Sequence, residues 1–313
     1  MESKVLKLTP VLFERIWGGR RLGQLKGMPN ALSLGESWEV SVHPEGVSQV
    51  RGQALSSVID GRHLPYLVKF IDTESNLSVQ VHPDNEFAQE HEGTSGKTEC
   101  WIILEAGHGA GIYLGVKDGV TRQRFHRALL EREDISLLLN YYPVGVGDFF
   151  LVPAGMLHAI GAKVFLLEIQ QSSGITYRAW DWNRFDQNGH PRKLHQDKAM
   201  QVINFDKEFN GQSAISYQRN VFGEKWIKRL VEHPDFSVDS HTLVQGEELS
   251  LESNETSGRY SSILCLSGQV TIQGGACNEC LATFESSLLI RGRSHPPFRI
   301  KPLSSTATIV VVY

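Results

Sequence analysis

The sequence predicts a mainly β protein, two β-barrel domains with a small helical insertion, and three observations carry that reading. The last hundred residues break into short apolar runs, WIKRLVEH, FSVDSHTL, SSILCLSG, QVTIQG, SSLLIRG and TATIVVVY, separated by turn residues. Strands at that spacing build a sandwich or a barrel. Only Thr121 to Tyr142 sustains helical spacing, through Phe125, Ala128, Leu129, Ile135, Leu138 and Leu139. The third observation is the stretch Leu77 to Asp84, LSVQVHPD, which alternates apolar and polar for six residues and stops at Pro83. On a strand Leu77, Val79 and Val81 pack one way, while Ser78, Gln80 and His82 share the other face. A hydroxyl, an amide and an imidazole in a row make a poor core surface and a good site.

The elements follow in order. Trp17-Gly18-Gly19 and Glu36-Ser37-Trp38 are read as ordinary packing of large aromatics rather than the lip of a polar pocket. Leu64 to Ile71, LPYLVKFI, is a strand with Lys69 embedded in it; a lysine there either snorkels to solvent or needs an anion. One short helical turn is expected over Asp84 to His91, followed by a Gly-Ser-Gly loop. Lys97-Thr98-Glu99 opens the strand ECWIIL, in which Glu99 shares a face with Trp101 and Ile103. A carboxylate at the head of an apolar strand needs a cation or several donors when buried. The helical insertion, placed at 118–142, includes a second helix capped by Asp134, and its apolar stripe is read as core.

From Val144 the pattern returns to strands. GDFFLVPAGMLHAI contains G-x5-P-x-G-x2-H, spelled by Gly147, Pro153, Gly155 and His158: a buried strand, a tight turn and an imidazole just beyond it. In FLLEIQ, Glu168 and Gln170 share a face. Thr176 to Arg184 is dense in aromatic and guanidinium groups, and the guanidinium fork suits phosphate oxygens. His195 to Ile203 reads as helical and Asn210-Gly211-Gln212-Ser213 as a linker. The expected division is therefore 1–210 and 211–313. Gly292-Arg293-Ser294-His295 faintly repeats the spacing of Gly155 to His158, without a Gln-x-His or His-x-His to accompany it. The second domain is accordingly expected to be a duplicated barrel without a metal site.

At 313 residues the chain exceeds the size at which one core stops growing. Its 41% hydrophobic and 21% charged content is that of an ordinary soluble protein. A formal charge of −4 gives no basic footprint, so nucleic acid is not expected as a partner. No apolar run reaches membrane-spanning length and MESKVLKLTP lacks the apolar core of a signal peptide, so a cytoplasmic protein with no membrane partner is expected. Cys277 and Cys280 form a C-x-x-C without a second ligand pair or a strand-to-helix context, and are read as incidental.

Collecting the inward polar groups gives Gln80, His82, Glu99 and His158. Two imidazoles, one carboxylate and an amide oxygen suit Zn²⁺ or a related divalent ion, and leave a net positive centre that stabilises a developing oxyanion.

The G-x5-P-x-G-x2-H segment resembles the second cupin motif. LSVQVHPD, KTE, PAGMLHAIG and EIQ…TYR together resemble the type I mannose-6-phosphate isomerases in their short bacterial form, from about Trp17 through Asn204. The resemblance implies two cupin (jelly-roll) barrels and one Zn²⁺ per chain on Gln80, His82, Glu99 and His158. It further implies that Arg178 is the catalytic arginine, that Lys97 takes part in proton transfer, and that Ser78, Lys69 and Arg184 bind the substrate and its phosphate. The implied activity is interconversion of mannose 6-phosphate and fructose 6-phosphate through a cis-enediol, with a small sugar phosphate as the partner. The chain departs from the family at Gly174, where many members carry an acid four residues before the arginine. That departure leaves a non-catalytic sugar-phosphate-binding cupin as the alternative. A cupin oxygenase fits less well, since Gln80 stands where such an enzyme carries histidine.

Overall fold

The computed structural model describes residues 3–28, 33–59, 63–185, 189–211, 215–222, 228–251, 260–291 and 296–313. The protein is mainly β, and it packs as two compact units. One comprises Leu12–Ser37 and Lys69–Arg219; the other comprises Met1–Val11, Trp38–Val68 and Asn220–Tyr313. The sequence suggested a single cut near residue 210, whereas each unit collects separate segments. Long-range pairing explains the second unit. Its N-terminal strand Lys4–Lys7 lies antiparallel to Ser286–Ile290, and the Tyr66 hydroxyl meets Ser262 Oγ at 2.8 Å. No local pattern announces contacts of that sequence separation.

The first unit carries the chemistry. Its larger sheet includes, in order, Tyr217–Gln218, Phe149–Val152, Glu99–Ala106 and Val164–Gln171. A five-stranded sheet runs Leu139–Pro143, Gly111–Val116, His158–Ile160, Val79–Val81, Tyr177–Trp180. Between them lies a core of Trp101, Ile103, Phe150, Val152 and Leu166 against Ile112, Leu114 and Ile160. Trp17 is packed into this core, as ordinary aromatic packing requires.

A second apolar layer covers the other face of the five-stranded sheet. Helix Arg122–Glu131, capped by the Thr121 side chain, buries Phe125, Ala128 and Leu129 there with Leu157, Ala159 and Trp180. Its apolar stripe is core, as the sequence indicated. The helical insertion is shorter than 118–142, however. Asp134 caps a single 3-10 turn, Ile135–Leu138, and Leu139–Pro143 is a strand whose Tyr141 pairs with Tyr113. Aromatic residues fit a pleated surface better than a helix, and the partner strand decides it. Helix Asn85–Glu92 is longer than the expected single turn. Asp84 Oδ1 accepts from Phe87 N at 2.8 Å to start it, and Gly93 ends it in the left-handed region at φ 69°.

In the other unit a six-stranded and a four-stranded sheet enclose a core that includes Ile263, Ile272, Leu289, Phe298 and Ile309. Cys277 and Cys280 lie on the strand Cys277–Ala282 and both are free thiols. The echo at 292–295 and Gln212-Ser213 of the expected linker lie outside the described residues. Among the described residues, no helix is long and apolar enough to cross a membrane.

Candidate metal centre and active site

The strand Val79–Val81 is central to the geometry. Gln80 stands directly opposite His158 on one neighbour and opposite Arg178 on the other. Directly paired residues on antiparallel strands share a face, so His158, Gln80 and Arg178 form one row across three strands. The facing sheet contributes a matching row, with Glu99 between Val152 and Gln170, and Trp101 between Phe150 and Glu168. The tight turn after Pro153, with Gly155 at φ 84°, brings the chain back so that His158 begins a new strand on the ligand side.

His82, Glu99 and His158 are all buried, and one ligand atom from each lies within 4.8 Å of the others. Both imidazole Nε2 atoms stand 3.4 Å from the Glu99 carboxylate, His82 from Oε2 and His158 from Oε1. Their outer nitrogens are tied back, His82 Nδ1 to the Ile175 carbonyl at 2.7 Å and His158 Nδ1 to the Met156 carbonyl at 2.8 Å. Carbonyls only accept, so each Nδ1 carries the proton and each Nε2 lone pair points inward. Ser78 Oγ donates to Gln80 Oε1 at 3.1 Å, leaving Gln80 Nε2 3.4 Å from His158 Nε2. A half-turn of the amide exchanges its oxygen and nitrogen, and the serine hydroxyl can serve either as donor or acceptor.

Lys97 closes the cluster. Its Nζ lies 2.6 Å from Glu99 Oε2, 3.1 Å from His82 Nε2 and 4.0 Å from Glu168 Oε1. Burial pushes the His82 pKa down to about 3, helped by the Lys97 ammonium, and burial also lowers His158. Both imidazoles are therefore neutral, the form that binds metal. Burial would raise the Glu99 carboxyl, but the Lys97 ammonium beside it outweighs this and holds it well below the carboxylate range. Burial would likewise lower Lys97, yet Glu99 and Glu168 outweigh it and keep an ammonium. Glu99 Oε1 is buried without a hydrogen-bond partner. A buried carboxylate oxygen facing the inward lone pair of His158, with no donor of its own, is a mismatch that a divalent cation resolves. The donor set fits such an ion.

Lys69, in its apolar strand, meets the anion it required: Glu168 Oε1 lies 3.3 Å away. Glu168 also accepts from Trp101 Nε1 at 3.1 Å, and its pKa is raised by burial and by Glu99. Sequence reasoning gave this glutamate no role, although a charge inside FLLEIQ was the available signal.

Arg178 Nη1 donates to the Lys193 carbonyl at 2.7 Å. Arg184 Nη1 donates to the Asn76 carbonyl at 2.6 Å, and its Nη2 lies 2.5 Å from Asp181 Oδ1. Arg192, also overlooked, grips the same Asp181 through Nε at 2.7 Å and Nη2 at 2.6 Å. Two guanidinium groups around one carboxylate leave a net positive cluster, which Arg178 senses electrostatically. Burial opposes the Asp181 charge, but the two arginines hold its pKa down. Asp181 thus does not replace the acid missing at the exposed Gly174.

Comparison with known proteins adds a family. The family described as phosphomannose isomerase type I, catalytic domain, matches residues 5–100. The mannose-6-phosphate isomerase of Streptococcus mutans serotype c is 39% identical over 229 residues, covering 68% of this chain and 72% of that one. Mannose-6-phosphate isomerase ManA of Bacillus subtilis is 38% identical over 219 residues, 65% of this chain and 69% of that one. A crystal structure of the mannose 6-phosphate isomerase from Bacillus subtilis aligns over 100% of both chains with a TM-score of 0.80 at 28% identity. A phosphomannose isomerase variant from Salmonella typhimurium, 14% identical, covers 98% of both chains with a TM-score of 0.72, a likeness of fold alone.

Proposed function

The chain belongs to the type I mannose-6-phosphate isomerases, and from that membership we propose that it interconverts mannose 6-phosphate and fructose 6-phosphate in the cytosol. We assign one Zn²⁺ per chain to Gln80, His82, Glu99 and His158, within a cupin-type barrel. Bound there, the ion supplies positive charge beside the oxygens of the open-chain sugar.

In the proposed reaction the hydrogen on C2 moves to C1 through a cis-enediol, and the proton on O2 passes to O1. Charge gathers first on one sugar oxygen and then on the other. Lys97 Nζ, kept protonated by Glu99 and Glu168, donates to the charged oxygen and recovers a proton from its neighbour. Arg178, held by the Lys193 carbonyl, presents a fixed guanidinium to the same enediolate. Ser78 and Lys69 contact the sugar, and Arg184 takes the phosphate, whose binding energy holds the reacting carbons in register. With no acid at 174 and Asp181 committed to arginines, the carbon-bound hydrogen passes as a proton to a bound water or to a side chain of the buried cluster.

One observation carries this reading: four groups from three separated segments converge in one buried cluster, and an arginine flanks Gln80 on the adjoining strand. The test is metal analysis coupled to an isomerase assay on wild type and His158→Ala. About one zinc per chain with turnover is expected, both lost in the variant. Zinc-loaded wild type that binds fructose 6-phosphate and never turns it over would instead establish the binding-only alternative that Gly174 favours. Deuterated water adds a check on the route, because proton transfer through an enediol carries solvent deuterium into the product.

A further inference from the structure

Tyr177 sits one residue before Arg178 on the strand Tyr177–Trp180, so its side chain points to the opposite face, away from the metal ligands. Directly across it is Val81, the residue before His82. Two residues before Tyr177, Ile175 offers the carbonyl that holds His82 Nδ1. The short segment 175–178 therefore supports a candidate metal ligand at one end and presents the candidate catalytic arginine at the other. What anchors this segment from outside is explicit. The buried Tyr177 hydroxyl donates to Glu92 Oε1 at 2.7 Å, and Lys198 Nζ lies 2.6 Å from the same oxygen. The phenol ring is flanked edge-on by Phe87 at 6.1 Å and by the Lys198 ammonium at 5.6 Å.

Each partner comes from an element that itself begins at the site. Glu92 and Phe87 lie on helix Asn85–Glu92, which starts immediately after His82-Pro83-Asp84. Lys198 lies on helix Gln196–Val202, just after Lys193, whose carbonyl holds Arg178, and His195, whose backbone N–H donates to the Arg178 carbonyl at 2.8 Å. One hydroxyl thus ties together the chain leaving His82, the chain entering Arg178 and the chain supporting the guanidinium.

We propose that Tyr177 and Glu92 are positioning residues, fixing His82 and Arg178 from the far face of the sheet through the Tyr177–Glu92–Lys198 clasp. The kinetic part rests on the isomerase reading above; the metal-affinity part does not. Tyr177→Phe removes only the hydroxyl and Glu92→Ala only the acceptor, whereas Glu92→Gln retains an oxygen that accepts the phenol proton.

The experiment measures zinc affinity by competition with a chromophoric chelator, steady-state kinetics with mannose 6-phosphate, and thermal unfolding of each variant. Changes in the outer partners of metal ligands weaken binding by about 10- to 100-fold. Acting one step further out, Tyr177→Phe and Glu92→Ala are expected at the low end, roughly tenfold in zinc affinity with a kcat loss of about fivefold. KM stays within about twofold because the substrate contacts are untouched. Glu92→Gln restores near wild-type values, and the double variant is no worse than the worse single. Zinc affinity and kcat unchanged in Tyr177→Phe overturn the proposal. So does a loss in proportion to the unfolded fraction, or a Glu92→Gln as impaired as Glu92→Ala. A wild type inert toward mannose 6-phosphate, with zinc affinity still weakened in Tyr177→Phe, removes the isomerase reading and sustains the positioning.

Discussion

Replacing Lys97 by methionine separates two roles that the lysine combines. Its ammonium is almost fully buried, 2.6 Å from Glu99 Oε2 and 3.1 Å from His82 Nε2. In metal-free protein, Lys97→Met leaves the Glu99 charge buried opposite an inert side chain. Breaking a buried pair from one side costs about 3–5 kcal/mol, so the metal-free variant should unfold at distinctly lower urea concentration. A bound cation on the same carboxylate supplies the missing compensation and shrinks that penalty to about 1 kcal/mol on the same scale. The remaining difference of roughly 2–4 kcal/mol must reappear, by linkage, as tighter zinc binding of about thirtyfold or more. Catalysis should move the other way, with kcat falling by about 10²–10⁴ as a proton donor is lost. The assay set is urea unfolding with and without zinc, chelator competition, and turnover. A Lys97→Met protein that binds zinc more weakly than wild type would refute the reasoning, since the ammonium would then be supporting the site rather than sharing its ligands.

The other expectations are briefer. Arg184→Ala should raise KM for mannose 6-phosphate by about 10- to 100-fold, the worth of a charge-assisted hydrogen bond, with a smaller change in kcat; equal kinetics in wild type and variant would exclude Arg184 as a phosphate contact. Metal-free protein should lose stability in acid. The folded state protonates His82 only near pH 3, whereas the unfolded chain does so near 6.5. This contribution is therefore complete above 6.5 and lost as pH falls from there towards 3, and the depressed Glu99 pKa acts in the same direction. The sum is on the order of a few kcal/mol, and urea midpoints at acid and neutral pH that coincide would contradict it.

The clearest signals in the sequence were those where local periodicity already encodes the chemistry. Gln80 and His82 share a face because strands alternate, and the turn at Pro153–Gly155 announces His158 beyond it. Where the periods compete, the reading failed: Leu139–Pro143 looked helical after a genuine helix, and only pairing with Gly111–Val116 makes it a strand. Partners were less legible than positions. Lys69 clearly needed an anion, but Glu168 lies 99 positions along the chain, and the Arg184–Asp181–Arg192 cluster depends on how a loop closes.

By itself the sequence determined the β character, the candidate ligand types and the face each one occupies, because alternation, turn chemistry and donor class are properties of short segments. Tertiary structure alone decided which faces meet. Cross-strand register sets His158, Gln80 and Arg178 in one row, and the facing sheet brings Glu99, Lys97 and Glu168 to them. Register and sheet pairing are settled by the summed burial of residues far apart in the chain, which no short window contains.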